Sequence, residues 1–221
     1  IAITPDGRYA LVTDGAFAPY IVSIDIQARQ VVEEKVEPGV NVNAVEIAAD
    51  GTVVAVNYFE GKVFTFLIGQ DGKLTYVGSH GSYYVRLNGD LTDDDRAHIV
   101  RPVNLGISPD SKTVLVADVA PYNMEDTPLD PVPDTVGNTK FVIAVYEITS
   151  PGQLEFKGLL KDIPRAVQSF AFDRLGTKAY LLGNNGRMLD RQEGSPMMPE
   201  EFDRLMVANI AGPGQVTFDN E

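Results

Sequence analysis

Apolar and polar residues alternate in short bursts along this chain, and tight polar turns separate the bursts. Four segments line up: residues 1–14 (IAITPDGRYALVTD), 45–58 (VEIAADGTVVAVNY), 105–118 (LGISPDSKTVLVAD) and 169–182 (SFAFDRLGTKAYLL). Each reads as a strand, a turn and a second strand, with turns at Asp6-Gly7, Asp50-Gly51, Asp110-Ser111 and Leu175-Gly176. Asp-Gly between alternating apolar runs is a strong hairpin signal, because glycine supplies the positive φ that such turns need. A second hairpin follows each first one, at 24–36, 66–77, 148–156 and 210–218, the last two both turning at Pro-Gly-Gln. Each unit therefore predicts four short strands, A to D.

The turn-to-turn intervals are 44 residues from Gly7 to Gly51, 60 from Gly51 to Ser111 and 65 from Ser111 to Gly176. A four-stranded unit repeating every ~40–50 residues, with insertions, predicts an all-β fold, the β-propeller, built from blades around a central axis. A β-sandwich is the structural alternative, but it does not repeat an A–B and a C–D hairpin in fixed order. The four units run approximately 1–40, 41–100, 101–163 and 164–221 within one propeller region.

The repeat resembles the YVTN-type propellers, which include the lactonase-like group. Their pattern ends Leu-Tyr-Val-Thr-Asn; here the last positions read LVTD (11–14), AVNY (55–58), LVAD (115–118) and YLLG (180–183). WD-type repeats fit less well, since the chain has no Trp. The resemblance implies a ring that usually closes with about seven blades. Strand A of the first unit lacks the Pro that precedes it in later units (Pro102, Pro164), and the last D strand stops at 216–221. Both ends are thus expected to be cuts, with the remaining blades supplied by the same polypeptide or another copy. A closed four-bladed ring is the alternative.

The insertions fall in two connection classes only. Residues 79–101 join D to A, while 119–140 and 184–204 join B to C. In a propeller those classes share one face, and long connections in a compact domain tend to carry function. The third insertion has a helix-start signal at Pro199, predicting a short helix to Leu205.

Composition narrows the chemistry. A net charge of -13 and a pI near 4.5 argue against nucleic acid or an anionic membrane surface as partner. The absence of Cys excludes disulfides, thiolate metal sites and Cys nucleophiles. No apolar run is long enough to span a membrane, and no signal peptide is visible.

Candidate site residues lie just ahead of each strand A, at the mouth of the axis. They are Asn41 and Asn43, Arg101, and Arg165. Two Arg aimed at one funnel would hold a carboxylate or phosphate, although pairing with loop acids is the commoner role. His98 lies three residues before Arg101, and His80 opens the same insertion. The lactonase resemblance implies a His-Pro-His motif before strand A, but the matching place reads Arg101-Pro102-Val103. His98, with Arg101 and Arg165, is the remaining catalytic candidate. Asp90, Asp93, Asp94 and Asp95 offer hard oxygens for Ca²⁺, without EF-hand spacing, and a solvated charge run is the commoner meaning. No cofactor is otherwise expected.

These readings favour a non-enzymatic propeller, periplasmic or extracellular, holding a protein partner or a small anionic ligand on its insertion-rich face. A lactonase-like hydrolase or isomerase acting on a sugar lactone or related acid is the alternative. A propeller subunit of a larger redox or surface assembly is a third.

Overall fold

The computed structural model describes residues 1–13, 21–35, 42–57, 62–80, 101–119, 141–163, 166–184 and 204–218. These form sixteen strands in four antiparallel sheets. Sheet I holds β1 (Ala2–Ile3), β2 (Tyr9–Val12), β3 (Ile21–Asp25) and β4 (Gln30–Lys35). Sheet II holds β5 (Ala44–Ile47), β6 (Thr52–Asn57), β7 (Lys62–Ile68) and β8 (Leu74–His80). Sheet III holds β9 (Arg101–Ile107), β10 (Thr113–Val119), β11 (Phe141–Ser150) and β12 (Gln153–Ile163). Sheet IV holds β13 (Ala166–Phe172), β14 (Lys178–Asn184), β15 (Arg204–Gly212) and β16 (Gln215–Phe218). Strands follow one another in chain order within every sheet, and the first strands β1, β5, β9 and β13 neighbour one another across sheets. This is the architecture of stacked propeller blades.

The A–B turns of sheets I and III are built the same way from the same few residue types. Thr4 Oγ1 donates to Asp6 Oδ1 (2.6 Å), which also accepts the Arg8 N–H (3.0 Å). Ser108 and Asp110 repeat this at 2.5 Å, with the Lys112 N–H at 3.1 Å. The Thr4 hydroxyl, then the Arg8 N–H, hold the Asp6 carboxyl below the usual carboxylate range. The residue after each turn's first half lies in the left-handed region: Gly7 (φ 72°), Gly51 (85°), Ser111 (58°) and Gly176 (69°). Ser111 adopts this conformation while its Oγ accepts the Ala49 N–H of sheet II at 2.8 Å.

Three cores lie between the sheets. Leu11 and Ile21 of sheet I meet Val53, Ala55, Phe64 and Phe66 of sheet II. The opposite face of sheet II, with Val54, Val56 and Val63, meets Val114, Val116, Ala144 and Tyr146 of sheet III. Sheet III in turn buries Leu115, Ala117, Ile143 and Val145 against Leu181, Met206 and Ala208 of sheet IV. Sheets II and III are therefore covered on both faces, which is why Thr52 to Asn57 read as one unbroken buried run instead of alternating.

Polar latches close each core at its rim. The Gly152 N–H of the β11–β12 turn donates to Thr52 Oγ1 of the preceding sheet at 2.8 Å. The Gly214 N–H of the β15–β16 turn donates to Thr113 Oγ1 at 3.0 Å. Between sheets I and II the direction reverses: Ser23 Oγ donates to the Gly72 carbonyl (2.7 Å) and Tyr9 Oη to the Gln70 carbonyl (2.9 Å). Gly72 must be glycine, because its φ is 77° and a Cβ there would lie 2.5 Å from the Tyr9 ring. Gly106, in β9, serves close approach alone: a Cβ would come within 2.7 Å of Phe170 on β13.

Some expectations shift. His80 does not open an insertion but ends β8, paired with Val63, its ring edge-to-face with Tyr146 of sheet III at 5.8 Å. Arg204 and Leu205 belong to β15, so the helix expected over 199–205 does not reach its predicted end; the rest of it lies outside the described residues. The strands also claim Ser79, Arg101, Val119 and Asn184, trimming each insertion by one to three residues.

Replacing Thr113 by Val keeps its shape but removes the acceptor for the buried Gly214 N–H. The cost of an orphaned buried donor is about 1–3 kcal/mol. Urea unfolding should show that loss for Thr113→Val and little for Thr113→Ser. Equal stability of all three proteins would mean that the latch contributes nothing.

Candidate functional site

Chain-order antiparallel sheets have two unlike ends. The A–B and C–D turns lie at one end, where every connection is a few residues long. The B–C and D–A connections leave from the other. Residues 81–100, 120–140 and 185–203 all bridge strand ends there. Their sequences hold thirteen Asp and Glu against five Lys and Arg, so much of the chain's net charge is concentrated in these three stretches.

Two of the site residues expected from sequence sit on described backbone at this end, and both precede or open an innermost strand. Asn43 comes just before β5. Its N–H donates to the Val56 carbonyl (2.9 Å), and its carbonyl accepts Thr13 Oγ1 of sheet I (3.4 Å). Asn43 is thereby tied to the ends of two sheets. Arg101 opens β9 opposite Val119. Immediately after it the β9–β10 register shifts between Ala117 and Asp118, leaving Val103 as the extra residue of a bulge. Pro102 is accommodated beside that irregularity, as proline in strands usually is, and a bulge re-aims the strand that carries it. Asn43 and Arg101 thus lie at the same end of adjacent inner strands, β5 and β9. Asn41, His98, Arg165, Asp90, Asp93, Asp94 and Asp95 lie outside the described residues. Among the described residues, no group of His, Asp and Glu could hold a metal ion.

One residue that the sequence reading passed over stands out on β5. Glu46 pairs with Val54 and shares its face with Ala44, which packs into the core between sheets II and III. The equivalent positions, counted back from the matching A–B turns, are Ala2, Gly106 and Ala171. A long carboxyl therefore replaces small residues at the centre of the stack. Burial pushes its pKa up. The signal was available as the one charged residue among the aligned stretches 1–4, 45–48, 105–108 and 169–172, but its burial depends on the neighbouring sheet.

No family model and no curated protein matches this chain. Solved structures do. A candidate 6-phosphogluconolactonase from Bacteroides uniformis ATCC 8492 is similar over 99% of this chain and 52% of its own, at 14% identity and a TM-score of 0.64. A periplasmic gluconolactonase from Pseudomonas aeruginosa is similar over 97% of this chain and 50% of its own, at 18% identity and a TM-score of 0.63. The hydrazine synthase of Kuenenia stuttgartiensis is similar over 97% and 51%, at 17% identity and a TM-score of 0.61. The chain spans about half the length of these solved structures. At such identities the likeness concerns fold: this is an all-β chain of the lactonase-like propeller fold. Among the described residues no helix is long and apolar enough to cross a membrane.

Glu46 gives a pH test. A carboxyl whose pKa is raised by folding holds its proton more tightly in the folded chain than in the unfolded one. Stability therefore falls as pH rises from the unfolded value through the folded one. Glu46→Gln should be more stable than the parent at pH 7 and equal to it below the unfolded value, near pH 3.5 by the ordinary Glu pKa of about 4.3. A Gln variant less stable at pH 7 would show that the carboxylate makes a favourable contact.

Proposed function

We propose that this propeller is a binding scaffold, periplasmic or extracellular, whose long-connection end receives a protein partner with a basic surface. The observation that carries this reading is the asymmetry of the stack. One end keeps minimal turns in all four sheets, and the other carries every long insertion, with its excess of acids. Rigid sheets hold the strand ends in place, while the connections supply the recognition surface. An acidic rim favours a cationic partner and speeds its encounter at low salt. A small anionic ligand requires Arg101 and Arg165 to outweigh that field locally.

The second reading is a lactonase-like hydrolase. It is favoured by the names of two similar structures, a candidate 6-phosphogluconolactonase and a gluconolactonase. Its residues would be Arg101 and Arg165 for the carboxylate or phosphate of the substrate and His98 as base. The fold does not decide between the two readings, since propellers host many functions.

One pair of assays separates them. Hydrolysis of gluconolactone and 6-phosphogluconolactone is measured for the parent, Arg101→Ala and His98→Ala. The scaffold reading expects no turnover above buffer in any of the three. It also expects a co-purifying partner whose retention weakens with salt and disappears when 120–140 is replaced by a short Gly-Ser linker. Turnover by the parent, lost at least ~100-fold in either variant, fits removal of a general base or an electrostatic clamp and overturns the scaffold reading.

A further inference from the structure

Glu46 is a charged residue that the fold does not need. The matching positions of the other three sheets hold Ala2, Gly106 and Ala171, so a small side chain suffices at this level of the inner strands. In sheet III the position faces Phe170 and Phe172 of the next inner strand. Counted back from the same turns, the residues that Glu46 faces are Leu105 and Ile107 of β9, both part of the core between sheets II and III. Ala44 and Ala48, two residues to either side on the same face, are apolar too. The carboxylate thus gives up water for an apolar wall. Burial raises its pKa, against a smaller opposing influence from the Ile1 amino group.

A second polar side chain on the inner strands shows what a structural role looks like. Asn104 of β9 accepts the Leu105 N–H at its Oδ1 (2.9 Å) and donates its Nδ2 to the Gln168 carbonyl of β13. It ties two inner edges together, and both ends of its amide are used. By contrast, no described residue donates a hydrogen bond to the Glu46 carboxylate, and no described Lys or Arg pairs with it. Glu46 is only half-buried. Sheet II is covered by sheet I on one face and by sheet III on the other, so a residue inside its innermost strand stays open only toward the axis. The positive charge that reaches Glu46 is the amino group of Ile1, just ahead of the neighbouring inner strand β1, and it favours the ionised carboxylate.

We infer that Glu46 is the anionic seat of an axial binding site for a primary ammonium group. The ligand class follows from what surrounds the carboxylate. Among the described residues no other carboxylate or His joins it to hold a metal ion, and hard divalent cations take six or more oxygens. Each innermost strand pairs on one side only, so its free edge offers backbone carbonyls to the axis. One carboxylate with such carbonyls suits an ammonium, a compact charge with three donors. A carboxyl kept at a cost to folding, and held away from any internal partner, is the kind of group that binding sites retain. The ammonium belongs to a free amine or to a lysine of a protein. The site lies on the axis and is separate from the long connections.

The test titrates n-butylamine and a short lysine peptide into the full chain at pH 8, with the Nε-acetylated peptide as control. The Glu46 carboxyl carbon is followed by NMR, and affinities are compared for the parent and Glu46→Gln, which removes the charge at no cost to stability. Probe binding should shift the Glu46 signal in the parent. Affinity should fall roughly tenfold or more in Glu46→Gln, the ordinary weight of a hydrogen bond to a charged group. It should also weaken on acidification, as the carboxyl takes up its proton. Binding of n-butylamine makes a free amine sufficient. Binding of the lysine peptide alone, with the same dependence on Glu46, assigns the ammonium to a protein side chain. Equal affinity of parent and Glu46→Gln for both probes overturns the inference. So does a parent that binds neither, or peptide binding that survives Nε-acetylation. None of these readouts involves residues 120–140 or lactone turnover, so this site and the long-connection end stand or fall separately.

Discussion

Face-to-face packing of sheets that are apolar on both sides is the constraint on which the rest of this structure depends. A strand such as Thr52–Asn57, buried at every position, cannot sit at a water-facing surface of a two-layer fold. It needs a sheet on each side, and its neighbour has the same need. Stacking around shared inner strands satisfies each sheet in turn. The inner strands can only converge where side chains are small, as at Ala2, Gly106 and Ala171, and Glu46 is the exception. The rims of the cores are closed by hydrogen bonds from one sheet's turn N–H groups to hydroxyl oxygens of the preceding sheet, at Gly152–Thr52 and Gly214–Thr113. Removing water from an apolar core leaves turn amides to satisfy, and the hydroxyls do so without adding charge.

That architecture divides the molecule's work between its two ends. The A–B and C–D turns are committed to holding sheets together, since Gly72, Gly152 and Gly214 each sit on the preceding sheet. Such turns have no freedom to lengthen. Insertions are tolerated only where the B–C and D–A connections leave the stack, and there the chain carries all three of its long stretches. Asn43 and Arg101 stand where those connections meet the inner strands, at fixed backbone positions beside a bulge and a tether to sheet I.

The fold was readable because its signals are local. Asp6-Gly7 and Asp50-Gly51 announce their hairpins within a few residues, through a carboxylate that accepts the following N–H and a glycine that takes a positive φ. Ser111 was readable as a turn only by its place in the repeat, because its left-handed backbone accompanies a hydrogen bond to Ala49, 62 residues earlier. The latches were not readable at all, since Thr52 and Gly152 are 100 residues apart and neither type is unusual where it stands. His80 looked like a loop residue beside a polar insertion, but its pairing with Val63 and its contact with Tyr146 belong to the sheet. Most of the candidate site falls in the long connections, whose sequences carry charge and proline but no period. Of the residues proposed there, only Asn43 and Arg101 lie on described backbone.

The outer turns of sheets II, III and IV are each locked onto the sheet before them. Native-state hydrogen exchange of the Gly152 and Gly214 amides tests this most directly. Both sit in turns at the edge of the stack, where amides ordinarily exchange fast. Locked turns should show protection comparable to the central strands β6 and β10, lost in step with global unfolding. Exchange as fast as that of the exposed turn amides of Arg8 or Lys73, which bond only to their own turn carboxylates, would contradict it.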